Sequence, residues 1–233
     1  MATPLYQVEK TCPICEKNFT LTKTRGQSIP VKTDTDFYTS YNSEINPYYY
    51  AIWVCSHCGF AAHEDRFFTL LEPQREKLKK YLAGRQVNLD LGGPRTWEQA
   101  VTSHKLAIHF ANMVSLQASH IASLALRLAW LYREKEMASE EQEMLSKAVE
   151  AYKMAFLKEK MPIGNLTEVT LTYLIGELLR RTGNIEEALT YLGRVVSNPQ
   201  AKNEKRILDM AREAWHVARD MKKETGKEAN TGE

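Results

Sequence analysis

The pattern of apolar and polar positions changes character near residue 70. Before it, apolar and aromatic residues come in short runs that alternate or cluster, as in Asn18-Phe-Thr-Leu-Thr and Tyr48-Tyr-Tyr-Ala-Ile-Trp-Val, which suits short β-strands. After it, apolar positions recur at helical spacing almost to the end of the chain. Pro73 stands where a first-turn proline opens a helix to about Leu82, and Gly84 can close it. The run Asn88-Leu-Asp-Leu-Gly-Gly-Pro reads as a loop, with Thr96 capping the next helix. Further helices are expected over roughly 97–112, 115–136, 140–159, 166–182, 185–197 and 203–222. The fold class that results is α+β, mostly α. A small N-terminal β module (1–70) precedes a helical domain (71–222), and a tail without apolar anchors (223–233) is expected to be disordered.

Small residues recur at packing positions in the helical part, in the manner of tetratricopeptide (TPR) repeats. One copy runs through Val169, Ile175-Gly176, Leu179, Gly183, Ile185, Ala188, Leu192 and Val195, with Pro199 near the usual closing proline. A degenerate copy has Leu128-Ala129 and Tyr132 on one helix, then Ala148, Tyr152 and Ala155 on the next. Ala100, His104 and Ala107 echo a third, and Arg206–Met221 would be the terminal cap. Stacked in this register, the first helices present Ser123, Leu126, Trp130 and Arg133 from one unit and Thr170, Tyr173, Glu177 and Arg180 from the next. Two arginines beside Trp130 and Tyr173 would grip a carboxylate-bearing peptide by charge-assisted bonds and aromatic packing. The plainer reading makes Trp130 core and the arginines a solvated face.

All four cysteines lie in two CxxC pairs, Cys12-Pro-Ile-Cys15 and Cys55-Ser-His-Cys58, the second running into Gly59. Two such knuckles can close a tetrahedral all-thiolate site, with each sulfur about 2.3 Å from a structural zinc ion. Iron suits the same donors. Disulfides or a redox couple are the rival readings. Met1-Ala-Thr-Pro-Leu lacks the basic start and apolar core of a secretion signal, so a reducing cytoplasm is expected, and neither pair sits in a strand-helix-strand setting. With four thiolates available, His57 and His63 are not needed as ligands.

Charge narrows the choice of partner. The chain of 233 residues has a formal net charge of +2, and residues 1–60 balance Lys10, Lys17, Lys23, Arg25 and Lys32 against Glu9, Glu16, Asp34, Asp36 and Glu44. A nucleic-acid factor using Lys17, Lys23 and Arg25 on phosphate, with tyrosines stacking bases, would normally show a basic footprint, so this alternative is disfavoured. No run is long enough to span a membrane. Phosphate loops, dinucleotide fingerprints, nucleophile elbows and HExxH pairs are absent from the sequence, so no enzyme activity is expected. Between the knuckles, Asp34-Thr-Asp36-Phe37-Tyr38 and Asn46-Pro-Tyr-Tyr-Tyr50 form an acidic and aromatic insertion. It reads as packing, with a second ion site on Asp34 and Asp36 as the alternative.

The chain resembles a bacterial family catalogued as a domain of unknown function. The resemblance rests on Cys12-Pro-Ile-Cys15, Asp34-Thr-Asp36-Phe37, Asn46-Pro47 with Tyr50, and Trp53-Val-Cys55-Ser-His-Cys58-Gly59-Phe60-Ala-Ala, and it extends through the helices. Relatives often have proline where this chain has Ser56. The resemblance implies a zinc-ribbon-like front and a TPR-like back, and it supplies no activity, substrate or catalytic residue. The expected function is that of an adaptor recognising a protein or peptide.

Overall fold

The computed structural model describes residues 4–25, 30–41, 45–85, 87 and 91–231. Among them, six short strands form three antiparallel hairpins: β1 (Leu5–Thr11) with β2 (Asn18–Thr24), β3 (Pro30–Thr33) with β4 (Thr39–Tyr41), and β5 (Ile52–Val54) with β6 (Ala61–His63). Seven helices follow: α1 (Glu72–Leu82), α2 (Trp97–Met113), α3 (Ala118–Glu134), α4 (Ala138–Lys158), α5 (Glu168–Arg181), α6 (Ile185–Ser197) and α7 (Lys205–Thr231). The molecule is thus α+β and mostly helical.

Local chemistry explains most boundaries. Thr96 opens α2 with a reciprocal cap, in which its hydroxyl accepts from the Gln99 amide at 3.3 Å and its own amide donates to the Gln99 side chain at 2.9 Å. Tyr48–Tyr50 depart from the expected strand. Asn46 caps and Pro47 opens a single 3-10 turn, with the Tyr48 amide donating to Asn46 Oδ1 at 3.0 Å, and the strand starts only at Ile52. The tail read as disordered from 223 is instead helical through Thr231. α7 is anchored by buried Leu208, Ala211, Ala214 and Ala218, and extending a formed helix needs no new nucleus. Lys222 and Lys223 also pair with Glu186 and Asp220, both at 2.9 Å.

The chain divides into two compact units. The first holds Met1–Thr33, Thr39–Leu116 and Ser123–Met137; the second holds Asp34–Tyr38, Gln117–Ala122 and Ala138–Glu233. α1, α2 and most of α3 therefore lie with the hairpins, whereas the sequence pattern put the boundary at residue 70. The core of the first unit shows why. Phe67 is fully buried with the rings of Phe60, Phe19 and Trp53 at 4.9, 5.6 and 5.6 Å, and Phe110 of α2 lies 5.8 Å from Phe60. Small hairpins cannot bury such rings alone, so helices complete the core. Arg95 is buried there as well. Its guanidinium donates to the carbonyls of Ile52 (2.7 Å), Tyr49 (3.0 Å) and Leu91 (3.0 Å), which satisfies a charge whose burial lowers its pKa to about 10.

In the second unit α5 packs on α4, α6 and α7. Tyr173, Val169, Leu192, Val195, Leu208 and Ala211 form its core. Gly176 brings α5 and α6 close together: a Cβ there would lie 2.8 Å from Leu192 Cγ.

Candidate metal centre

Each cysteine knuckle is the turn of a hairpin, and the same turn is built twice. At the end of β1 the Cys12 amide donates to the Lys17 carbonyl and the Glu16 amide donates back to the Cys12 carbonyl, both at 3.0 Å. After β5 the Cys55 amide donates to the Phe60 carbonyl and the Gly59 amide to the Cys55 carbonyl, both at 2.9 Å. The fifth residue of each turn is left-handed, Glu16 at φ 59° and Gly59 at φ 76°. The Ile14 amide also points at Cys12 Sγ, at 3.4 Å.

The four sulfurs converge. Cys12 Sγ lies 3.7 Å from Cys58 Sγ, Cys15 Sγ lies 3.7 Å from Cys55 Sγ, and all four are within 4.8 Å of one another. A thiolate tetrahedron with bonds of about 2.3 Å has edges of about 3.8 Å, so this set could hold a metal ion. The separations far exceed a disulfide bond of about 2.05 Å, and all four cysteines are free. Cys12, Cys55 and Cys58 are buried, while Cys15 is only partly so. Sulfurs this close and buried resist ionising together. The Cys55 sulfur pushes Cys12 up to about 12, Cys12 and Cys55 push Cys58 up, and the hydrogen bonds of its neighbours pull Cys55 down to about 2. A bound divalent cation would supply the charge that lets all four act as thiolates.

Neither nearby histidine is part of the cysteine cluster. His57 Nε2 donates to the Asn18 carbonyl at 2.8 Å, tying the second knuckle to the first residue of β2. His63 receives the Asp65 amide on Nδ1 at 3.4 Å, and burial pulls its pKa to about 4. Of the cations named for phosphate contact, Lys23 pairs with Glu64 at 2.8 Å and Arg25 stacks 5.1 Å over Tyr6. Among the described residues no other group of three or more His, Cys, Asp or Glu side chains is placed so that it could hold a metal ion, Asp34 and Asp36 included.

The residues predicted to line a groove are placed differently from one another. Trp130 is buried in the first unit with its ring 5.3 Å from Tyr48, and Arg133 of α3 is half-buried in the same unit. Tyr173, Glu177 and Arg180 come together in the second unit, where Tyr173 and Glu177 are fully buried and Arg180 makes two bonds to Glu177 at 2.7 and 2.8 Å. Sequence reading missed Arg181, which bonds Glu177 at 2.8 Å and Asp34 at 2.9 Å. Its spacing of four from Glu177 was the available signal.

These features define a mostly helical protein whose N-terminal hairpins bring four cysteines into metal-binding geometry. The chain belongs to the family described as uncharacterized proteins conserved in bacteria, DUF2225, whose model matches residues 5–218. No curated protein and no solved structure matches it. Among the described residues no helix is long and apolar enough to cross a membrane.

Proposed function

We propose that this protein is a zinc-stabilised interaction protein of the cytoplasm, in which a structural Cys12/Cys15/Cys55/Cys58 zinc site fixes the hairpins and a TPR-like helical array recognises a protein or peptide. The observation that carries the reading is the closed donor set. Four sulfurs in two matching turns fill a tetrahedron, which leaves no coordination position for substrate and so favours a structural over a catalytic metal. The close α5–α6 approach at Gly176 supports the array, since helical repeats depend on small residues at such contacts.

Two measurements test the two halves. Native mass spectrometry should find one zinc per chain, and Cys58→Ser should lose it and with it the ordered hairpins, because binding and folding are coupled. Full zinc occupancy in Cys58→Ser would exclude the four-cysteine site. Affinity capture from bacterial lysate, with and without nuclease, should yield a nuclease-resistant protein partner. Recovery of nuclease-sensitive ribonucleoprotein alone would replace the adaptor reading with nucleic-acid binding.

A further inference from the structure

Residues 34–38 meet α5 as a peptide meets a receptor. Arg181 Nη2 donates to Asp34 Oδ1 at 2.9 Å and to the Thr35 hydroxyl at 2.7 Å, and that hydroxyl donates to Glu177 Oε1 at 2.5 Å. The Tyr173 hydroxyl donates to the Thr35 carbonyl at 2.6 Å. Phe37 packs against the core of the second unit, with its ring 5.8 Å from that of Tyr173. A carboxylate on arginine, a captured main-chain carbonyl and an aromatic anchor are the contacts by which short peptides are recognised.

The segment is also shaped for this role. It folds on itself as a tight turn, with the Asp34 amide donating to the Tyr38 carbonyl at 2.8 Å and the Phe37 amide to the Asp34 carbonyl at 3.0 Å. Phe37 is held at φ 68°, a conformation that bulky residues adopt only where surrounding contacts impose it. Simple core filling would need the phenyl ring alone. The charged and hydroxyl contacts around it add the discrimination of a recognition surface.

We infer that the α5 face carrying Tyr173, Glu177 and Arg181 is a recognition surface for an acidic-aromatic turn of the type Asp-Thr-Asp-Phe, and that residues 34–38 occupy it as a tethered ligand. The inference rests on the interaction-protein reading and names the chemistry of the partner: a segment with a carboxylate one residue before a hydroxyl and three before an aromatic ring. A tethered occupant acts at an effective concentration on the order of millimolar, so a free segment of the same kind binds well only when the internal one is weakened.

The test is fluorescence polarisation of a labelled peptide spanning Lys32–Ser40 against the zinc-loaded full chain, D34A/F37A, and D34A/F37A/R181E. D34A/F37A should bind the peptide at least about tenfold tighter than the wild type, and R181E should abolish that gain. No binding to a D34A/F37A protein that keeps its helical circular dichroism overturns the inference. If D34A/F37A does not fold, R181E alone carries the test through amide hydrogen exchange at Thr35–Tyr38: exchange faster by about tenfold supports the charge-held ligand, and unchanged protection overturns it. A protein partner captured equally by the wild type and D34A/F37A, with no peptide binding to either, would leave the interaction reading standing while this inference falls. Peptide binding as expected with no protein captured would count against the broader reading alone.

Discussion

Glu16 and Gly59 hold the same place in two copies of one turn, and the place favours glycine. A left-handed conformation costs a side-chain-bearing residue roughly 1–2 kcal/mol, part of which glycine gives back through the entropy of the unfolded chain. Glu16→Gly should therefore stabilise the protein by about 0.5–1 kcal/mol. Gly59→Ala should destabilise it by about 1–2 kcal/mol, since it adds this strain and sets a Cβ 3.1 Å from Val87 Cγ2. Urea titration of the zinc-loaded proteins reads both signs. His104 offers a different residue-scale test. It is fully buried on α2, its Nδ1 donates to the Ala100 carbonyl at 2.9 Å, and Nε2 has no partner among the described residues. Burial lowers its pKa to about 3, so between there and the unfolded value of about 6.5 the unfolded chain binds the extra proton. The stability from its neutral form is complete above about pH 6.5 and is lost as pH falls toward 3. His104→Leu should remove up to about one proton, or ~1.4 kcal/mol per pH unit, from the slope of stability against pH within that window. Equal slopes for the two proteins would show that His104 does not titrate on unfolding.

At the scale of elements, the helices were the most legible part, because seven amphipathic runs with capping residues, prolines and glycines mark their own ends. The segment at Tyr48 misled because aromatic density signals burial and not strand geometry. Asn46 and Pro47, two residues of turn chemistry, decide its shape. Glycines within helices also differ in ways a pattern does not separate. Alanine in place of glycine gains about 1 kcal/mol of helix propensity wherever there is room. At Gly193 the nearest atom to a new Cβ is Trp215 Nε1 at 3.7 Å, so Gly193→Ala should stabilise α6 by about 0.5–1 kcal/mol. At Gly176 the Leu192 backbone nitrogen lies 3.2 Å away and its Cγ 2.8 Å away, so Gly176→Ala should cost about 1–3 kcal/mol despite the better propensity. Thermal unfolding followed by far-ultraviolet circular dichroism should show melting points displaced in opposite directions. A rise in both would mean that α5 and α6 are not closely packed at Gly176.

Over the whole molecule, the cysteine cluster could be read directly because CxxC spacing places two sulfurs on one turn, whatever the rest of the chain does. The other chemistry of the fold depends on pairings that leave no local trace. Arg181 meets Thr35 across 146 positions, and Arg95 meets the Tyr49 carbonyl across 46. Periodicity says that a helix has an apolar face but not what will cover it, which is why α1 and α2 could not be assigned to the hairpins from the sequence. One asymmetry of the cysteine centre bears on its lifetime in a cell. Three sulfurs are sealed in protein and Cys15 is partly open, so exchange with solvent has a preferred door. With a metal ion held by the four cysteines, chelators, electrophiles and peroxides should reach Cys15 first, and a ligand lost there would loosen the remaining three. Peptide mapping after brief treatment of the zinc-loaded protein with a thiol alkylator should find Cys15 labelled before Cys12, Cys55 and Cys58, and uniform labelling would mean that the site opens as a whole. The durability of a metal bound there would then be governed by how fast its most exposed bond breaks, while its affinity would belong to all four sulfurs.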